Sequence, residues 1–169
     1  DRGVDLLVAE GHVARRRFAQ RLAQQQQRQT LQRATLYGQE AKPLPYMLAQ
    51  MNLLLHGLEA PQIAYGNTLE RRINEIGHAE RVDVILTNPP FGGIEEPGIE
   101  TNFPAAFQTR ETADLFMVLI MHLLKDGGRA AVVLPDGFLF GEGSKTRIKE
   151  KLLAECDLHT IVRDRKSVV

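Results

Sequence analysis

Asn88, Pro89, Pro90 and Phe91 stand together directly after the run Val82-Asp83-Val84-Ile85-Leu86-Thr87. Two consecutive prolines remove two backbone N–H donors and fix two φ angles. The segment therefore offers carbonyl oxygens, one carboxamide and one aromatic face on a stiff support. Those groups suit the exocyclic amino group of a planar base, which has two protons to donate. The Asn88 side-chain oxygen accepts one and the Pro89 carbonyl the other. Both bonds draw the nitrogen lone pair out of conjugation with the ring, so a poor nucleophile becomes a usable one. Phe91 supplies a stacking surface for a base that has left its duplex. No general base is required, because the substituted nitrogen is acidic enough to lose its proton afterwards. The same four residues also suit a rigid turn with no chemistry, and both readings stand at this level.

The run before them must position them. Residues 82–87 are apolar apart from Asp83 and the closing Thr87. Such a run predicts a strand covered on both faces, as in a parallel sheet. In open α/β sheets ligands bind beyond the carboxyl ends of the strands, which is where Asn88 falls. Around it, residues 35–38 and 63–65 read as short strands. Pro45 opens a helix that runs to about His56 and stops at Gly57. Residues 69–78 read as a polar turn or loop. Residues 113–125 are apolar nearly all round and predict a buried helix ended by Gly127-Gly128. Residues 129–134 predict a second buried strand, stopped by Pro135. Ser144 reads as the N-cap of a helix to about Glu155, and residues 159–163 as a final strand. This alternation predicts an α/β sandwich with a mostly parallel sheet.

The 169 residues are 43% hydrophobic and 25% charged, as in soluble globular proteins. Lys+Arg and Asp+Glu both total 21. Zero net charge argues against a wholly basic nucleic-acid binder but allows a local basic face. From Gly11 to Gln39 there are six arginines and no acid. That stretch reads as a helix to about Leu22 followed by loose polar chain, either a phosphate-facing patch or a solvated surface. The single cysteine, Cys156, excludes an internal disulfide, and no metal-ligand spacing is present. No apolar run approaches the roughly 20 residues of a membrane span. A cytoplasmic protein without a membrane segment is expected.

Residues 82–92 resemble motif IV of the S-adenosylmethionine-dependent DNA adenine-N6 methyltransferases. More closely, they resemble the modification subunit of type I restriction-modification systems. Gly38-Gln39-Glu40, residues 48–57, residues 111–116 and residues 134–141 match the same family. The resemblance implies a Rossmann-like methyltransferase sandwich that transfers a methyl group from S-adenosyl-L-methionine to N6 of a flipped-out adenine in DNA. It implies DNA, a specificity subunit and a restriction subunit as partners.

The resemblance also assigns residues. Asn88, Pro89, Pro90 and Phe91 are the catalytic set, and Asn88 also borders the cofactor. Glu40 accepts hydrogen bonds from the cofactor ribose; its alternative is an acid that complements a helix dipole. Asn67 stands where the family carries Asp, and its carbonyl accepts from the cofactor's adenine amino group without the charge. Read from its position and not from the resemblance, Asp114 is a catalytic acid, a starter of the buried helix, or a residue that orders the loop after Phe91. Asp136 lies on the same sheet edge as Asn88, to contact the base or DNA or to stabilise a turn. Residues 92–110 are too long for a simple connector and are read as closing over DNA or packing on a partner subunit.

The family's glycine-rich motif I belongs ahead of Leu6, where only five residues stand. Residues 1–163 are therefore expected to be a partial catalytic domain, incomplete at both ends, without the central strand. Residues 164–169 are expected to be a non-native tail. The intact parent is expected to be an adenine-specific DNA methyltransferase and this chain alone inactive. Alternatives bearing the same motif are an RNA or protein-glutamine methyltransferase, or a catalytically inactive fragment that binds DNA or partners.

Overall fold

The computed structural model describes residues 25–163. The arginine-rich stretch before residue 25 and the tail at 164–169 lie outside the described residues. Helix α1 (Gln25–Ala34) leads to strand β1 (Tyr37–Glu40), helix α2 (Pro43–Leu55) and strand β2 (Gln62–Tyr65). Three 3-10 turns follow, at Thr68–Glu70, Ile73–Glu75 and His78–Glu80. Strand β3 (Val82–Thr87) then leads into a loop with 3-10 turns at Ile99–Asn102 and Ala105–Phe107. Helix α3 (Thr112–Leu123) runs straight into strand β4 (Leu124–Val132). Helices α4 (Asp136–Phe140) and α5 (Ser144–Glu155) complete the described chain.

Both strand pairings are parallel, as the alternation of elements predicts. β1 pairs β2 from Tyr37↔Gln62 to Glu40↔Tyr65, with α2 as the crossover. Prolines sit in the first turn of α2, where a missing N–H costs nothing. Its far end closes with Gly57 N–H donating to Leu54 O and Leu58 N–H to Leu53 O, a Schellman pattern. β3 pairs β4 from Val82↔Leu124 to Thr87↔Val132, with a register shift between Val82 and Val84. Residues 125–128, which end in Gly127 and Gly128, form that irregularity. A Cβ on Gly128 would come 2.8 Å from Lys125 O, so no larger residue fits there.

α3 is the centre of the core. Every residue from Thr112 to Met121 is buried. Leu69, Ile73 and Ile76 of the 3-10 turns pack in the same cluster, with Phe103, with Phe138 of α4 and with Ile148 of α5. An all-round apolar helix demands such a complete coat.

Several expectations are corrected. Among the described residues the strands form two separate two-stranded sheets, not one. β3 is covered on one face only: Ile85 packs on the core, while Val84 is 60% and Leu86 39% exposed. Alternate side chains of a strand point to opposite faces, and only one face here meets a helix. The first strand sits two residues later than expected, because Tyr37–Glu40 is the stretch in register with β2. α1 occupies part of the stretch read as loose. Gln and Arg are good helix formers, and Gln32 fixes the helix to the end of α2 by donating to Gly57 O (2.6 Å) and accepting from Glu59 N (2.7 Å). α3 ends at Leu123, so Gly127-Gly128 interrupts a strand instead of stopping a helix. Ser144 is the first residue of α5, and the cap position falls to Gly143. Residues 159–163 form no strand.

Candidate active site

β3 delivers Asn88 at its carboxyl end. The neighbouring strand continues past it, with Val133 N–H donating to Thr87 O at 3.1 Å. Pro89 is fully buried and anchors the turn. Asn88 is exposed, and its carboxamide bonds no other described residue. Phe91 is 54% exposed. A buried proline thus holds a carboxamide and an aromatic ring out to solvent on one side of the sheet end. The arrangement is able to accept two N–H bonds from a planar amine and to stack on its ring.

Glu40 ends β1 and is buried. One of its carboxylate oxygens accepts from Lys42 N at 2.8 Å, just ahead of α2. Its backbone carbonyl accepts from Gly66 N–H at 3.0 Å, so Gly66-Asn67 continues past β2 on the same edge. Both polar atoms of the Asn67 side chain are engaged. Its Oδ1 accepts from Leu69 N at 3.0 Å, capping a 3-10 turn, and its Nδ2 donates to Glu95 Oε2 at 3.2 Å.

Glu95 is the residue that sequence reasoning missed. It is 8% exposed and accepts from Thr112 Oγ1 at 2.5 Å as well as from Asn67. Its backbone is braced by Arg110, whose Nε and Nη2 donate to Glu95 O and whose carbonyl accepts from Glu95 N–H. Gly93 O accepts from Thr112 N–H at 3.0 Å. The stretch after Phe91 is therefore tied to the N-terminus of α3, where a negative charge is favoured. Asn67, Glu70, Ile94, Glu95, Glu96 and Ile99 line a cavity of about 230 Å³. The rest of the loop packs on the chain's own 3-10 turns: Phe103 is buried, and Asn102 Nδ2 donates to Leu69 O and Glu70 O.

Asp114 lies in the first turn of α3, 0% exposed. Its Oδ2 accepts from Lys145 Nζ at 2.8 Å, and Lys145 also pairs with Glu111. Burial pushes the Asp114 carboxyl up, more than Lys145 pulls it down. Burial works to lower Lys145, but its hydrogen bonds to Asp114 and Glu111 hold it above its ordinary value. Asp136 opens α4, beyond the end of β4, and pairs with Arg163 at 2.9 Å on the surface. Among the described residues no helix is long and apolar enough to cross a membrane.

The family model described as N-6 DNA Methylase matches residues 14–168. The EcoEI methylase subunit of a type I restriction enzyme from Escherichia coli is 63% identical over 129 residues, 76% of this chain and 26% of that protein. A crystal structure of a modification subunit from Vibrio vulnificus YJ016, assigned to a type I restriction enzyme, superposes with a TM-score of 0.74 at 53% identity, over 80% of this chain and 29% of the other. A structure from work on complex assembly and conformational transition of the type I restriction-modification system gives a TM-score of 0.75 at 40% identity, covering 83% and 28%. The chain spans about a quarter of the length of the curated relatives it matches. A family match over nearly the whole chain, on a fold that carries Asn-Pro-Pro-Phe at a strand end, shows that the chain belongs to the N-6 DNA methylase family and is similar to the methylase subunits of type I restriction enzymes.

Proposed function

We propose that the chain is the central part of the catalytic domain of a type I modification subunit, which methylates N6 of a flipped adenine in DNA. The observation that carries this reading is the exposed Asn88 carboxamide on the buried Pro89, beside the half-exposed Phe91. Asn88 Oδ1 and the Pro89 carbonyl accept the two amino protons of the base. Phe91 stacks on the ring once it has left the duplex. A preorganised acceptor pair of this kind acts where charge develops on the nitrogen, so its loss lowers turnover more than binding.

S-adenosyl-L-methionine, when bound, supplies the activated methyl group. The residues fit it in one respect: Glu40 is a buried carboxylate at a sheet edge, and a carboxylate is the acceptor that ribose hydroxyls require. Asn67 keeps one lone pair on Oδ1 beyond its cap bond. Two separate parallel pairs, each with candidate residues on its carboxyl edge, support a Rossmann-like sheet completed by a further strand between them. In this reading residues 1–163 are a partial catalytic domain and 164–169 a non-native tail. DNA, a specificity subunit and a restriction subunit are the partners. Similarity to a chain from a type I assembly supports them, and a specificity partner accounts for a zero net charge here.

The test is Asn88→Ala in the full-length modification subunit, assembled with its specificity subunit. Methyl incorporation into DNA adenine should fall by about a hundredfold or more, with an unchanged melting temperature because the side chain is exposed. Full methylation by that variant would reject the mechanism.

A further inference from the structure

Asn67 and Glu95 are 28 positions apart, and each answers the other's hydrogen-bonding needs. Glu95 is a buried carboxylate, and both its oxygens accept from neutral donors, Thr112 Oγ1 and Asn67 Nδ2. No cation reaches it within hydrogen-bond distance among the described residues; Arg110 bonds its backbone carbonyl instead. Asn67 donates to Glu95 with its nitrogen while its oxygen caps Leu69 N. A carboxamide does both at once, which an ionised carboxylate does not. An aspartate in place of Asn67 retains the cap but presents a second carboxylate about 3.2 Å from Glu95, and like charges at that distance repel strongly.

We infer that Glu95 is a positioning residue that clamps the segment following Phe91 to the segment following β2, and that it dictates the amide at position 67. Resting on the function proposed above, the clamp fixes the distance between the side that holds the cofactor and the side that holds the target base. Pairing is by polarity: a carboxylate at position 95 demands an amide at position 67. Exchanging the two groups, by Asn67→Asp together with Glu95→Gln, restores the same bond with donor and acceptor reversed. The carboxamide introduced by Glu95→Gln still accepts from Thr112 through its oxygen.

The experiment is a four-member cycle in the full-length subunit assembled with its specificity partner: wild type, Asn67→Asp, Glu95→Gln and the double variant. Asn67→Asp sets carboxylate against carboxylate, whereas Glu95→Gln replaces the charged acceptor by a neutral one that still accepts from Asn67 Nδ2 while its NH2 turns to Thr112 Oγ1. Asn67→Asp should raise the KM for S-adenosylmethionine by about tenfold, with a smaller change in kcat, and lower the melting temperature, whereas Glu95→Gln should change both less. The double variant should lower KM below that of Asn67→Asp and recover the melting temperature. A double variant no better than the worse single, in both readouts, overturns the clamp. A wild-type protein that neither binds the cofactor nor methylates DNA rejects the proposed function instead. The melting temperatures then decide the clamp alone: recovery in the double variant supports it and additivity overturns it.

Discussion

Lys145 and Asp114 form the most deeply buried ion pair among the described residues, with Lys145 12% and Asp114 1% exposed at the side chain. Asp114 Oδ1 is buried without a hydrogen-bond partner, so Lys145 carries the whole task of neutralising that carboxylate. Removing one member of a buried pair leaves an uncompensated charge, at a cost of about 3 kcal/mol or more. Lys145→Met should therefore lower unfolding stability by that order in urea titration. The sign of its pH dependence follows from the carboxyl. Burial already holds the Asp114 value above that of the unfolded chain, and loss of Lys145 lifts it further. A raised acid contributes stability below its unfolded value and loses it as pH rises through the folded one, so the deficit should be larger at about pH 8 than at about pH 5. Adding Asp114→Asn to Lys145→Met should abolish that difference. Asn88, in contrast, was legible from sequence because its neighbours limit what it does. A proline pair after an apolar run leaves few structures open. Glu95 was not legible, as one acid among several between residues 95 and 111. Only the approach of β2's end to α3's first turn singles it out.

At the scale of elements, the junction of α3 with the loop after Phe91 has no room to spare. A Cβ on Gly93 would lie 2.6 Å from Thr112 Oγ1. That hydroxyl is the one that donates to Glu95. Gly93→Ala should therefore displace Thr112 and cost about 1–3 kcal/mol, read as a drop in the urea midpoint. It should also raise the cofactor KM, because the bond to Glu95 goes with it. Strand β3 was legible to the residue, since an apolar run between polar turns has few other solutions. The end of α3 was not. Gly127-Gly128 reads as a helix stop, yet Leu124 already pairs with Val82. Pairing with a distant strand outweighs local propensity there, and no residue near Leu123 announces it. Helix α4 was missed for a related reason. Asp136-Gly137-Phe138-Leu139-Phe140 is weak helix by itself, and the burial of Phe138 holds it.

At the scale of the whole molecule, the two strand pairs leave apolar surface in the open. Val84, Leu86 and Val133 are exposed beside the candidate site. Leu48, Met51 and Leu55 of α2 are exposed as well. Exposed apolar side chains of this kind mark surface that another element covers. In the proposed reading further parts of the parent protein pack on that surface. Residues 1–169 expressed alone should then bind S-adenosylmethionine weakly or not at all, as calorimetry would measure. Near-micromolar affinity would contradict that expectation. The parallel pairing was legible from the alternation of elements, but the division into two sheets was not, because hydrophobic pattern reports burial and not which strands are neighbours.

The parallel pairing also sets the order in which this chain acquires its shape. Neither pair is able to form as a hairpin. β1 meets β2 only after α2 has crossed over, and β3 meets β4 only after the long loop and α3 have been placed. Every strand contact is therefore distant along the chain, and such contacts form slowly. Helices, built from local contacts, should therefore form before the sheets. During that interval Val82–Thr87 is an apolar strand with both edges free, the kind of segment that pairs with other chains. Yield on refolding should fall with protein concentration for a reason that lies in the kinetics and not in the final structure.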